Sequence, residues 1–350
     1  MSAVRYNVQH ETLYLYGREV AHSHQLLHLT PRSYARQACL AHSLLIEPTP
    51  AVRSEHQDAF GNRVTRVELD RPHDRLRVLA EMVVSLPASE EMPEEEGESW
   101  ERVRDGLAYV AGSREAEWLE AMRFRGESPF VRIKRLFGDF ARECLRPSSS
   151  VLEVASCLMS KVHQEFTYAP GETEIATPLL EVFHKRRGVC QDYAHLMIAC
   201  LRSAGLAARY VSGYLRTYGT DAADETPQAA DMPQAAQKPQ AAQKPQATEV
   251  SAAVGTPEAM DAPEAADAQR GLIGADASHA WVAVFAPPFG WVEFDPTNNV
   301  RVDQEHVALA WGRDFGDVSP LRGVILGGGS HKLSVRVAVQ PLPETEPASR

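Results

Sequence analysis

Gly188-Val189-Cys190-Gln191-Asp192-Tyr193-Ala194-His195 is the stretch whose reading decides the chain. It follows a basic turn, Lys185-Arg186-Arg187, and opens an apolar run, Leu196 to Leu201, that Gly205 ends. This pattern predicts a buried helix with Cys190 in its first turn. Gly188 allows a tight, close-approach backbone just ahead of the thiol. A helix N-terminus carries unpaired N–H groups and partial positive charge, which favour a thiolate and can hold an oxyanion. A cysteine in an apolar helix is ordinarily core packing, so a chemical role needs support from elsewhere in the chain.

That support lies downstream. Ser278-His279-Ala280-Trp281-Val282-Ala283-Val284 alternates as a strand does, with His279 and Trp281 on one face. After a Pro-Pro-Phe-Gly turn, Trp291-Val292-Glu293-Phe294-Asp295 reads as a second strand, stopped by Pro296. A hairpin of these two brings His279 and Asp295 to one end of a sheet. Thiol, imidazole and carboxylate then supply a nucleophile (Cys190), a base (His279) and an orienting acid (Asp295).

At these residues the chain resembles the transglutaminase-like superfamily, in its bacterial branch of cysteine-protease-like enzymes. The matching words are Phe166-Thr167-Tyr168-Ala169-Pro170-Gly171, Arg187-Gly188-Val189-Cys190-Gln191-Asp192, Ala208 to Tyr214, Ser278-His279-Ala280-Trp281, Gly290 to Asn299 and Gly312 to Pro320. Tyr6, His10-Glu11-Thr12, Leu29-Thr30-Pro31-Arg32 and Asp58-Ala59-Phe60-Gly61-Asn62 match that branch's amino-terminal companion domain. The resemblance implies an α+β fold: an antiparallel, sandwich-like β domain over 1–87, then a core over 107–350 with the cysteine helix packed on an antiparallel sheet. It assigns the nucleophile, base and acid to Cys190, His279 and Asp295. The tryptophan that holds the oxyanion in the family's animal cross-linking enzymes has no counterpart between Trp118 and Cys190. The backbone N–H of Cys190 is one donor, and Gln164 or Tyr168 is the candidate for the second.

Composition narrows the remaining choices. The net charge of −11 excludes the basic face of a nucleic-acid binder. Much of it comes from an acidic linker over 88–106 and from a low-complexity insert over about 220–275. The insert repeats Pro-Gln-Ala-Ala-Gln-Lys, has almost nothing to bury and is expected to be disordered. The strands on either side of it are expected to be neighbours in one sheet.

The five cysteines are odd in number and lack paired spacing, so no disulfide scaffold is expected, and Cys157 and Cys200 read as core packing. A zinc site from Cys190, His195 and Cys200 fails on helical phase, since a five-residue step leaves the face. The early histidines fit no metal-ligand spacing. Without an apolar leader or a membrane-length run, the expectation is a cytoplasmic protein, with a reducing compartment suited to a working thiol.

Helical spacing is also expected over Ala116 to Phe124, Phe130 to Cys144, Val151 to Phe166, Thr177 to Phe183 and Gln304 to Trp311. Asp192 reads as a cap of the cysteine helix, His195 as a buried, hydrogen-bonded residue, and Arg313, Asp314 and Asp317 as loop ion-pairing residues near the cleft. The chemistry expected is attack on a peptide or carboxamide carbonyl through a thioester, most simply resolved by water. Amine transfer in the manner of a transglutaminase and a non-catalytic binding scaffold are the alternatives. A papain-like chain is disfavoured, because its histidine lies much further beyond the cysteine. The partner implied is a peptide or protein substrate, with no cofactor, metal, nucleic acid or membrane; oligomeric state is left open.

Overall fold

Strand β1 (Val4–Leu27) buries Tyr6, Val8, His10, Thr12 and Tyr14 on one face, the period-2 alternation of a half-buried strand. A break is expected at Gly17, but the strand runs on through it and changes partners there. Its first half lies between β5 (His73–Leu86) and β15 (His331–Pro341), its second between β4 (Arg63–Leu69) and β14 (Leu321–Gly327). With β2 (Ala38–Glu47), β3 (Val52–Gln57) and β9 (Thr248–Ser251), these make one eight-stranded antiparallel sheet. The computed structural model describes residues 3–88, 97–108, 115–218, 248–251, 272–274 and 278–343. The expected disorder of the insert therefore falls largely outside the described residues, but its Thr248–Ser251 backbone pairs with β14. The sheet is not confined to 1–87: β14 and β15 come from the end of the chain.

The second sheet is antiparallel, in the order β12 (Val300–Arg301), β11 (Trp291–Asp295), β10 (His279–Phe285), β8 (Ala208–Leu215), β13 (His306–Gly312). Strands β8 and β10, which flank the insert, are neighbours as expected, with His279 opposite Gly213. Helices α1 (Trp100–Gly106), α2 (Ala116–Met122), α3 (Arg135–Ala141), α4 (Val151–Glu165) and α5 (Leu179–Lys185) precede the cysteine helix α6 (Cys190–Ser203). Every residue of α6 from Cys190 to Arg202 is buried, because α3, α4 and α5 pack around it and β8 and β10 lie beneath. Ser150 caps α4 in a reciprocal box with Glu153. Two-residue strands β6 (Thr167–Tyr168) and β7 (Arg187–Gly188) pair in parallel just before α6. Helix α7 (Phe315–Val318) follows β13.

Three expectations are corrected. Gln304 to Trp311 is not a helix: residues 306–312 form strand β13, buried on both faces. A short, continuously apolar run carries no period to separate the two states. The helix expected from Phe130 shrinks to α3, because Ser128 and Val131 exchange backbone hydrogen bonds and the Phe130 N–H is taken by Asp314. Cys157 is not simple core packing: it is bonded to Cys144, joining the segment after α3 to α4. Cys39, Cys190 and Cys200 are free.

The sheets meet through residues of the amino-terminal words. Arg32 stacks 3.6 Å from the Trp311 ring, Arg209 lies 3.7 Å from the same ring, and Trp291 sits 4.1 Å from Arg209. Asn62 exchanges hydrogen bonds with the Trp311 backbone at 2.9 and 3.0 Å.

Candidate active site

Asp192 builds the start of α6. Its Oδ2 accepts from the Val189 N–H at 2.9 Å and from the Thr173 hydroxyl at 2.7 Å, so it caps the helix and ties down the preceding loop. Burial raises its pKa, opposed by those two hydrogen bonds. Gly188 is required by this packing, since a Cβ there would lie 2.6 Å from Asp192 Oδ2. Cys190 follows as the first helical residue, buried at the tip of α6.

His279 and Asp295 come from adjacent antiparallel strands, and their side chains have no exposed surface. His279 Nε2 lies 2.9 Å from Asp295 Oδ2. Cys190 neighbours the same imidazole and acts on its charge. His279 Nδ1 is buried and makes no hydrogen bond, so the ring spends one nitrogen on the carboxylate and leaves the other unpartnered. Burial opposes the imidazolium, but the charge and hydrogen bond of Asp295, with the thiol, outweigh it and raise His279 to about 10. Burial likewise works against the Asp295 carboxylate, yet His279 and a second histidine hold its pKa far below the usual range.

Asp295 is saturated with donors. Oδ1 accepts from the backbone N–H groups of Thr297 (2.9 Å) and Asn298 (3.3 Å), and Oδ2 also accepts from Asn298 Nδ2 at 2.7 Å. The Asn298 side chain exchanges hydrogen bonds with the Ile273 backbone. Gly274, at φ +92, then passes so close to His279 that a Cβ would sit 2.8 Å from Nδ1. The segment that closes the insert thus roofs the imidazole.

The second histidine, His306, was missed in the sequence because it lies in the run read as a helix. Its Nε2 is 3.3 Å from Asp295 Oδ2 and its Nδ1 is 3.1 Å from Asp303 Oδ1. Of the two oxyanion candidates, Tyr168 lies beside Cys190; burial first, then the neighbouring Cys190, push its hydroxyl well above the ordinary tyrosine range, so it stays a donor. Gln164 is exposed on α4.

The remaining polar candidates have structural places. His195 Nε2 accepts from the Phe315 N–H at 3.1 Å and its ring stacks on Phe130. Arg313 pairs with both oxygens of Asp317, and Asp314 caps α7. Arg202, which carried no signal in the sequence, is buried and donates to the carbonyls of Phe124, Gly126, Ala208 and Arg313.

Comparisons with known proteins agree with this fold. Residues 6–85 match the bacterial transglutaminase-like N-terminal region, and residues 138–296 match the transglutaminase-like superfamily. An uncharacterized protein of Mycobacterium tuberculosis is 33% identical over 346 residues, covering 97% of this chain and 93% of its own. One from Mycobacterium leprae is 29% identical over 339 residues, covering 97% and 99%. A solved structure of a candidate cysteine protease from Cytophaga hutchinsonii shares the fold with a TM-score of 0.66 at 16% identity, covering 99% of this chain and 93% of that one. No helix among the described residues is long and apolar enough to cross a membrane.

Proposed function

As this chain belongs to the transglutaminase-like superfamily, we propose that it is a thiol enzyme that hydrolyses peptide or carboxamide bonds through a Cys190–His279–Asp295 triad. The observation that carries the reading is the division of the His279 ring: Nε2 bound to Asp295 at 2.9 Å, Nδ1 buried and unpartnered, with Cys190 among the groups that act on it. In this mechanism the Cys190 proton already rests on His279 Nδ1, in keeping with the raised pKa of the ring, and the thiolate sulfur bonds to the substrate carbonyl carbon. The oxyanion is held by the Cys190 N–H, with Tyr168 as the second donor. Collapse breaks the C–N bond, and the departing amine takes the proton from Nδ1. Water then gives a proton to Nδ1 and attacks the thioester, which releases the acid and restores the thiol. Asp295 stays ionised and keeps the imidazole in the tautomer this requires.

Mass spectrometry of glutamine-containing peptides incubated with the protein, with and without a primary amine, tests the reading. Cleavage or deamidation that disappears in Cys190→Ala supports hydrolysis. Amine incorporation in place of either transfers the acyl group to the alternative acceptor. Unchanged peptides, together with a Cys190 inert to iodoacetamide at mildly acidic pH, leave only the binding scaffold.

A further inference from the structure

The proposed chemistry accounts for His279 and leaves a second buried histidine on the same carboxylate. His306 opens β13 and shares Asp295 Oδ2 with His279. Its other nitrogen meets Asp303, a half-exposed residue in the turn before β13. A neutral imidazole has a single N–H. In either neutral tautomer, one ring nitrogen would turn its lone pair toward a carboxylate oxygen at 3.1 or 3.3 Å. Only the doubly protonated ring donates to both. The side chain has no exposed surface, and the Trp281 ring meets it edge-on at 5.4 Å, so water does not substitute for either carboxylate.

The charged groups around it are Asp295 on β11, His279 on β10 and Asp303 on its own side, with Arg36 acting on Asp303. Across a cavity of about 580 Å³ that His306 and Asp303 both line stand Arg209 and Glu293, with Glu117 and Glu120 at its wall.

We infer that His306 is a positioning residue for this reaction: an imidazolium clamped between Asp295 and Asp303 that fixes the Asp295 carboxylate against His279 and offsets part of its charge. The inference rests on the proposed roles of His279 and Asp295. It gives the acid two cationic partners. The second limits how strongly Asp295 holds the proton on His279, and that proton must leave for the departing amine in each turnover. It also adds a positive charge on the far side of Asp295 from His279, and a cation near the proposed triad favours the thiolate.

Nitrogen-15 NMR of the full-length protein, labelled at histidine, reads the protonation state directly. His306 is identified by the signals lost in His306→Gln. Both of its ring nitrogens are expected to be protonated at pH 7, and Asp303→Asn is expected to lower the pH at which the second proton is lost. A singly protonated His306 at pH 7, or a titration unmoved by Asp303→Asn, overturns the inference. The kinetic arm uses His306→Gln, whose amide can still donate to Asp295 but carries no charge. The acid limb of Cys190 alkylation by iodoacetamide is expected to move upward by roughly half to one pH unit, with thermal unfolding still cooperative. A profile superimposable on wild type overturns it. Should His306→Gln not fold, Asp303→Asn and the wild-type spectrum decide the matter. A wild-type Cys190 inert at every pH would defeat the proposed function, while the NMR arm would still report on His306.

Discussion

The His10 imidazole on β1 lies 2.8 Å from the Tyr214 hydroxyl on β8, a hydrogen bond that joins the two sheets across their buried interface. Its other nitrogen meets Thr12 Oγ1 at 2.8 Å. With both partners hydroxyls, nothing compensates a buried charge, and burial lowers His10 to about 4.

This predicts loss of stability in mild acid. A histidine whose pKa is depressed on folding contributes stability above its unfolded value of about 6.5, lost as pH falls toward the folded value. His195, lowered by burial and by the nearby Arg202 to about 3, acts in the same sense. Each is expected to lower the unfolding free energy by about 1.4 kcal/mol per pH unit below about 6. His279, raised to about 10, has the opposite sign: its contribution is full below about 6.5 and fades as pH rises through 10. Urea unfolding at pH 7, 6 and 5 checks this, and His10→Gln should flatten the acid slope. An unchanged slope in that variant would remove His10 from the account.

Gly188→Ala should cost more than its single methyl suggests. The new Cβ would press on Asp192 Oδ2 and displace the carboxylate that caps α6. A loss of about 1–2 kcal/mol is expected, the usual scale for a broken N-cap, with slower alkylation of Cys190 because the thiol sits on the same first turn as the displaced cap. Asp192→Asn, which keeps an acceptor for Val189, should be milder. Denaturant unfolding and iodoacetamide rates on both variants make the comparison.

Within the proposed triad, Cys190→Ala is expected to abolish acyl-enzyme formation, and His279→Ala to lower its rate by about 10²–10⁴ or more. Asp295→Asn would be the mild change if only the imidazole bond mattered. Both oxygens of Asp295 receive donors, however: two backbone N–H groups on Oδ1, and His279, His306 and Asn298 on Oδ2. An amide must turn its NH₂ toward one of those sets, so Asp295→Asn should also lower stability by about 1–3 kcal/mol. A thiol-directed activity probe read beside thermal unfolding separates the two effects.

The bond between Cys144 and Cys157 closes a loop across a sequence separation of 13. Cys157→Ser is expected to cost about 2–3 kcal/mol through the freed unfolded chain. Disulfides persist in oxidising surroundings and are rare where glutathione keeps thiols reduced, so this bond and the cytoplasmic location expected of the chain pull in different directions. Counting alkylatable thiols in denatured protein from the native source decides between them: three if the pair is bonded, five if it is not.

What could be read from the sequence was local. The cysteine helix and the His279–Asp295 hairpin are legible because period, turn residues and stops all lie within a few positions of the chemistry. The capping role of Asp192 follows from its place three residues beyond Val189. His306 was hidden because β13 is buried on both faces and so lacks the alternation that marks a strand. The disulfide depends on two helical segments meeting in space, which spacing along the chain does not reveal. Arg202 gave no signal at all: it donates to backbone carbonyls after α2, at the start of β8 and after β13, which lie far apart in sequence. The amino-terminal words acquire their reason only in the structure, where Arg32 and Asn62 dock on Trp311 and His10 on Tyr214.

The weave of β1 has a consequence for how the protein is made. Between Tyr6 and Tyr16, one edge of the first strand is covered by the last strand of the chain, Tyr6 opposite Pro341 and Tyr16 opposite His331. During synthesis that edge stays open until residues 331–341 leave the ribosome, so the amino-terminal region cannot be completed first, as an independent domain would be. Pairing β1 with β15 also closes a long loop, which makes folding slow. Expressed alone, the first 87 residues would carry an eleven-residue unpaired strand edge, a template for joining other copies.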